Sequence, residues 1–462
     1  MKELRERKLT RRDYFVVSSM LFGLFFGAGN LIFPLHLGQL AGSHWLLAAL
    51  GFLITAVLLP LFSVLAISVT RSEGVYDIGK PLGAAFALVF MVLIHATIGP
   101  LFGTPRTATV SFTVGVAPFL PKQFDQIGLF VFSLLFFGLA FILSYKENNI
   151  VKNVGKVLNP LFLLLLFVVF LVAFTNPLGS TTTASVTKAY LSDPFTNGFL
   201  QGYNTMDALA GLAFGVTVVT AVKQLGKKKP RSIALTTARA GILTMAAIGL
   251  IYLLLILVGA MSLGKFKVSA DGGVAFTQIV NYYAGRIGQA FLATLLTLTC
   301  LTTAVGLVAA FAQDFHKHFP KVSYHVWLAF SCLASFLTAN FGLDQIITWS
   351  VPLLMFLYPL AMALIVLSIT SPWFKRDSRV YLTTVVLTVV PAFFDMVVSF
   401  PAVVSQSSFG LAVANFQQKF LPLANVGLDW LVPAVVGFAL GLVWHFAQGR
   451  AAVGVVGKSQ VK

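Results

Sequence analysis

Three stretches place polar or backbone-freeing residues inside otherwise apolar runs. The first is Phe25-Phe26-Gly27-Ala28-Gly29-Asn30. The second runs from Gly202-Tyr203-Asn204-Thr205-Met206-Asp207-Ala208 to Phe214-Gly215 and adds Gly211. The third is Thr297-Leu298-Thr299-Cys300-Leu301-Thr302-Thr303. Glycine and asparagine weaken a helix and let peptide groups leave its ladder. In hydrocarbon, freed groups survive only when buried in protein or lining a cavity. An ionisable side chain at that depth, here Asp207, is a functional candidate because burying its charge costs several kcal/mol or more. Thr299, Thr302 and Thr303 fall on one helix side at offsets of three and four, where hydroxyl and carbonyl oxygens suit a hard cation such as Na⁺. Each motif also has a plain structural use: close helix packing for the glycines, an interhelical hydrogen bond for Asp207, and back-bonding for the threonines. Asp395, without neighbouring glycines, reads as structural.

Other chemistries find little support. His36, His44, His95, His325 and His445 are scattered, and His316 and His318 lie in a basic loop; neither a metal-spaced cluster nor a nucleophile–base set emerges. Cys300 and Cys332 sit in apolar runs and imply no disulfide framework or metal site. No Gly-x-x-x-x-Gly-Lys phosphate loop is present, so an enzyme, a redox protein and an ATP-driven pump are all disfavoured and no cofactor is expected.

The elements that must position these residues are membrane helices. Of 462 residues 58% are hydrophobic and only 10% charged, with 44 Phe, against about a quarter charged in soluble domains. Twelve runs approach the roughly 20 apolar residues a span needs: 14–40, 45–69, 82–112, 126–144, 150–175, 196–221, 233–262, 286–312, 323–341, 345–369, 380–403 and 426–447. The third is the least regular, holding Pro100, Pro105 and Arg106. The net charge of +17 reads as membrane orientation beside anionic lipid, with no nucleic-acid partner. With the N-terminus inside, alternate loops hold 24 Lys and Arg on the inner side and 6 on the outer; the inner set includes Lys146, Lys152 and Lys156. That bias supports an even number of spans and cytoplasmic termini. The first run is too long for a cleavable signal peptide and lacks its small-residue cleavage pattern.

The two glycine-interrupted segments fall in spans one and six, equivalent positions if two five-helix repeats precede two further helices. Paired interruptions of that kind point to a transporter's binding site. The run Leu21-Phe22-Gly23-Leu24-Phe25-Phe26-Gly27-Ala28-Gly29-Asn30-Leu31-Ile32-Phe33-Pro34, with Gly202-Tyr203, Thr205-Met206-Asp207-Ala208-Leu209-Ala210 and Phe214-Gly215, resembles the first- and sixth-helix signatures of the branched-chain amino-acid:cation symporter family. The resemblance implies an all-α membrane protein of leucine-transporter-like architecture. It would have an N-terminus at 1–13, inverted five-helix repeats at 14–175 and 196–369, helices 11 and 12 at 380–447, and a C-terminus at 448–462. It implies a bacterial cytoplasmic-membrane symporter for leucine, isoleucine and valine, with no obligate protein partner.

By the same resemblance a Na⁺ site would draw on carbonyls of Gly23, Phe26 and Thr299 and hydroxyls of Thr302 and Thr303. Amides around Ala28, Gly29 and Asn30 would hold the substrate carboxylate, since a helix N-terminus favours negative charge. Carbonyls from Tyr203 through Asn204 and Thr205 to Ala208, with Asp207, would meet the ammonium. Phe214 and residues of spans three and eight would take the side chain. Proton coupling through Asp207 is the alternative within transport.

Overall fold

The computed structural model describes residues 9–145 and 150–458; residues 1–8, Lys146 and 459–462, part of the inner-charge count and of both tails, lie outside them. The described residues are helical with no strand. Helices α1 (Arg11–Phe25) and α2 (Gly29–Ala41) form the first span; α3 (Trp45–Leu53) and α4 (Leu59–Thr70), joined by one widened turn, form the second. After α5 (Val75–Gly79), α6 (Ala84–Ala96) and α7 (Gly103–Gly115) share the third, with α8 (Asp125–Tyr145) and α9 (Ile150–Thr175) as fourth and fifth. Past α10 (Lys188–Ser192), the sixth is divided between α11 (Pro194–Gln201) and α12 (Asp207–Gln224). Then come α13 (Pro230–Ser262), α14 (Gly272–His318), α15 (Tyr324–Ala339), α16 (Leu343–Phe374) and α17 (Ser378–Ser399). Short α18 (Ala402–Ser405) and α19 (Ser408–Phe420) precede α20 (Leu431–Lys458).

Each run read from the sequence therefore finds a helix or a pair of half-helices. Among the described residues seven helical stretches are long and apolar enough to cross a membrane, Gly29–Thr70 joining the second half of the first span to the second, and Leu161–Thr175, Tyr324–Ala339 and Leu431–Ala447 are shorter apolar helices. Breaks keep the first and sixth spans from counting as single long helices. Large aliphatic side chains cover the outside: Leu135, Ile142, Leu171 and Val443 are all more than 60% exposed, the surface a lipid-facing bundle presents.

Some boundaries differ from the reading. The eighth span, expected at 286–312, belongs to a helix that starts at Gly272 and bends at Gly285, where φ is +63°. Asp271 caps that helix by accepting from the amides of Gly273 (2.6 Å) and Val274 (2.9 Å); its first turns, a short apolar stretch bounded by Gly272-Gly273 and Gly285, read as loop. The last span begins at Leu431 and not 426, since Leu423 and Gly427 take left-handed backbone. Amphipathic α19 has no long apolar run and was not expected.

The bundle closes through backbone contact. A methyl group at Gly38 of α2 would overlap the Ile256 carbonyl of α13, and one at Gly259 of α13 would overlap Leu35 of α2. The same reciprocity joins Gly51 of α3 to Phe195 and Gly198 of α11 to Ala48. Small residues that let helices touch main chain to main chain are how membrane helices associate without a hydrophobic driving force.

Candidate functional site

The first span loses its winding over Phe26-Gly27-Ala28 and resumes at Gly29. The Phe26 amide still reaches Phe22 O (2.8 Å), but Phe26 itself is extended (φ −76°, ψ 100°). The amide of Gly27 is taken instead by the side-chain oxygen of Asn30 (2.9 Å). In the sixth span Gly202–Thr205 winds into one tight turn, and Met206 adopts left-handed backbone (φ 59°, ψ 9°) before α12 starts at Asp207. That conformation in a residue with a side chain costs on the order of 1 kcal/mol and marks the break. Two helix N-termini, of α2 and α12, thus meet at mid-bundle with Asn30 and Asp207 in their first turns.

Those two residues are bonded together. Asn30 Nδ2 donates to Asp207 Oδ2 at 2.6 Å and to the hydroxyl of Tyr252; Tyr252 Oη donates to the same Asp207 oxygen at 3.0 Å. All three are at least 96% buried. The sixth-span break is shorter than expected. From Asp207 onward the chain is regular helix, and Gly211 and Gly215 let α12 approach Ser63 and Ile67 of α4, the packing use of glycine and not the unwinding one.

A cavity of about 70 Å³ sits at the two breaks. Ala28, Gly29, Asn30, Asn204, Thr205, Asp207 and Phe214 line it, together with Thr303, Arg106, Ile98 and Leu307. Spans three and eight therefore supply apolar wall beside Phe214. Tyr203 and Ala208 do not line it; the Tyr203 ring is stacked on Tyr358 of α16, centroids 4.3 Å apart at 11°. The carbonyl of Asn204, expected to face an ammonium, instead accepts from Arg106 Nη1 at 2.7 Å.

Of the oxygen set, Thr303 is at the cavity and against the break: a methyl on Gly27 would lie 3.3 Å from its Cγ2. Thr302 and Thr303 both donate their hydroxyl hydrogens to Thr299 O, at 2.8 and 3.2 Å. The back-bonding geometry is present and uses the Thr299 carbonyl expected in the ion site; of the two hydroxyls, that of Thr303 belongs to a residue lining the cavity. Gly23 lies within α1 and Phe26 at its end; neither lines the cavity.

Sequence reading gave no role to Arg106 or Tyr252. Tyr252 had a signal, a hydroxyl within the apolar stretch 245–261 of α13. Arg106 stands just after a third break, where Gly99 (ψ −120°) and Phe102 (φ −137°) are non-helical; Gly99, Pro100, Gly103 and Pro105 announce it. Asp395 is held in a separate polar knot, Gln417 Nε2 donating to Asp395 Oδ1 (2.6 Å) and Asp429 Oδ2 (2.8 Å). It borders a cavity of about 300 Å³ also lined by Asp193 and Gly427. That cavity is larger, but its wall holds two carboxylates, Asp193 and Asp395, and no basic side chain, so it offers a carboxylate no opposite charge.

The chain matches the family model for branched-chain amino acid transport protein over residues 10–448. The branched-chain amino acid permease BrnQ of Lactobacillus delbrueckii subsp. lactis is 40% identical over 437 residues, covering 94% of this chain and 97% of that protein. BrnQ of Escherichia coli (strain K12) is 37% identical, covering 96% and 98%. Among solved structures, Mhp1, a nucleobase-cation-symport-1 family transporter closed around bromovinylhydantoin, superposes with a TM-score of 0.59 at 13% identity, covering 94% of this chain and 93% of that one. MhsT in complex with L-phenylalanine gives 0.58 at 16% identity, covering 95% and 99%. These likenesses carry the leucine-transporter-like fold, and its discontinuous first and sixth helices are the two breaks described above. The sequence relatives, matched along almost their whole length and named as permeases and not enzymes, carry the assignment: this multi-pass membrane protein belongs to the branched-chain amino acid transport protein family.

Proposed function

We propose that the chain imports leucine, isoleucine and valine across the bacterial cytoplasmic membrane by Na⁺-coupled alternating access, with both termini in the cytoplasm. The observation that carries this reading is the cavity at the paired breaks, where a buried acid, first-turn peptide groups and an apolar wall converge. Asp207 suits the substrate ammonium, and Phe25, Ile98, Phe214 and Leu307 suit an aliphatic side chain. Such a pocket discriminates by only ~1–3 kcal/mol per methylene, so overlapping use of the three substrates follows. Thr303 against Gly27 supports the ion's place: a cation there would order the first break and favour the substrate-competent state, coupling the two binding events. The names of the permease relatives support the substrate class, and the 24-to-6 charge bias supports the orientation.

Proton coupling is the second reading, favoured by Asp207, whose bonded partners Asn30 and Tyr252 are both uncharged. Purified protein in liposomes separates the two. Leucine uptake under an imposed Na⁺ gradient at equal pH is the expected result. Uptake only under a pH gradient moves the coupling to Asp207, and leucine accumulation under neither overturns the proposal.

A further inference from the structure

The inference concerns Arg106 and rests on the amino-acid substrate proposed above. Arg106 is 3% exposed, in the first turn of α7, beside the cavity. Its Nη1 donates to Asn204 O and its Nη2 to Ser350 Oγ of α16, both neutral acceptors. Its Nε is buried without a partner. Its guanidinium carbon stands 5.0 Å from the Phe33 ring centroid on α2. Among the described residues no carboxylate forms an ion pair with it. Asp207 lines the same cavity, and its bonded oxygen is held by Asn30 and Tyr252. One cavity thus contains a buried cation and a buried acid that form no ion pair with each other.

Burying a cation and an acid without an ion-pair partner is costly to a fold. They fit a ligand that carries both opposite charges a short distance apart. We propose that Arg106 binds the carboxylate of the zwitterionic substrate through Nε–H and a remaining Nη hydrogen, while Asp207 receives the ammonium. An arginine edge matches a carboxylate with two parallel hydrogen bonds, so Arg106 adds a charged fork to the α2 amides. The bonds to Asn204 and Ser350 hold that fork against the sixth-span break, and α-amino acids are selected by both ends of the molecule.

The test compares ligands with and without the carboxylate charge. Binding of radiolabelled leucine to the purified protein is measured, with leucinamide and 4-methylpentanoate as competitors, in wild type, Arg106→Gln and Arg106→Lys. Wild type is expected to prefer leucine over leucinamide by about 10- to 150-fold, the range of hydrogen bonds to charged groups. Arg106→Gln should lower leucine affinity to the leucinamide level while leaving leucinamide affinity within about threefold, and Arg106→Lys should fall between. Equal losses for both ligands would make Arg106 a positioning residue and overturn the proposal, as would equal wild-type affinities. Should Arg106→Gln fail to fold, Arg106→Lys is read by the same selectivity. Wild type that binds no leucine refutes the amino-acid reading itself, an outcome distinct from failure of the Arg106 assignment.

Discussion

Replacing Asp207 by asparagine changes one atom and keeps the side-chain shape. In the wild type a single carboxylate oxygen accepts from Asn30 Nδ2 at 2.6 Å and from Tyr252 Oη at 3.0 Å. If the asparagine carbonyl takes that position, both bonds persist with a neutral acceptor and roughly half their strength. If its amide does, two donors face a third and the network opens. The substrate ammonium loses an ionic partner in either case. A hydrogen bond to a charged group contributes about 1.5–3 kcal/mol, so leucine uptake at limiting substrate should fall by about tenfold to about 150-fold. The assay is initial uptake into liposomes reconstituted at equal protein density. A gel-filtration profile and melting temperature near the wild type would establish that the variant is folded. Wild-type uptake by a folded Asp207→Asn protein would refute the site, because a buried acid at the meeting of two broken helices would then do nothing for transport.

Four further outcomes are expected. Thr302→Ala and Thr303→Ala should each raise the Na⁺ concentration for half-maximal uptake, read from a Na⁺ titration at fixed leucine; an unchanged midpoint in both would place the ion elsewhere. Tyr252→Phe removes one donor to Asp207 and one acceptor for Asn30, costing about 1–3 kcal/mol, and should lower uptake at least fivefold with little loss of folded yield. Gly38→Val forces β-branched bulk against the Ile256 carbonyl and should cost about 3 kcal/mol or more, seen as loss of the monodisperse peak in detergent. The hydrogen bond from His445 (2.7 Å) holds the Asp377 carboxyl below the usual aspartate range. A depressed carboxylate contributes stability that is present above its unfolded pKa and lost as pH falls through the folded one. In His445→Ala the melting temperature should therefore be lower than wild type at neutral pH, and the gap should narrow as pH falls below the ordinary aspartate range.

The breaks were legible because glycine, asparagine and aspartate are conspicuous in hydrocarbon. The first span leaves its helix over 26–28, within the stretch read from the sequence, and resumes at Gly29; Asp207 likewise falls at the resumed helix. What the sequence does not mark is which glycine serves which purpose. Gly211 and Gly215 share a motif with Gly202, yet they are helical and face α4, because the choice between unwinding and packing is made by the neighbour. Tyr252 lies 45 residues from Asp207 in sequence, and only the folded bundle brings its hydroxyl to the carboxylate. Arg106 was visible as an anomaly, but its meaning depends on the Asn204 carbonyl it engages from another span.

The contacts also bear on how ion and substrate could sense each other. Thr303 of α14 abuts Gly27, the Gly27 amide is bonded to Asn30, and Asn30 is bonded to Asp207 and Tyr252. A cation held at Thr303 would restrain the first break at Gly27, and the restraint would pass by one short side chain to the acid proposed for the ammonium. Contiguity alone is not coupling; the physical argument is that Asn30 cannot keep both its Gly27 and Asp207 bonds unless the two breaks hold one mutual register. An ion that fixes the first break thereby biases the second. The cost of ordering both is shared between the two ligands, which gives positive cooperativity without any direct contact between them.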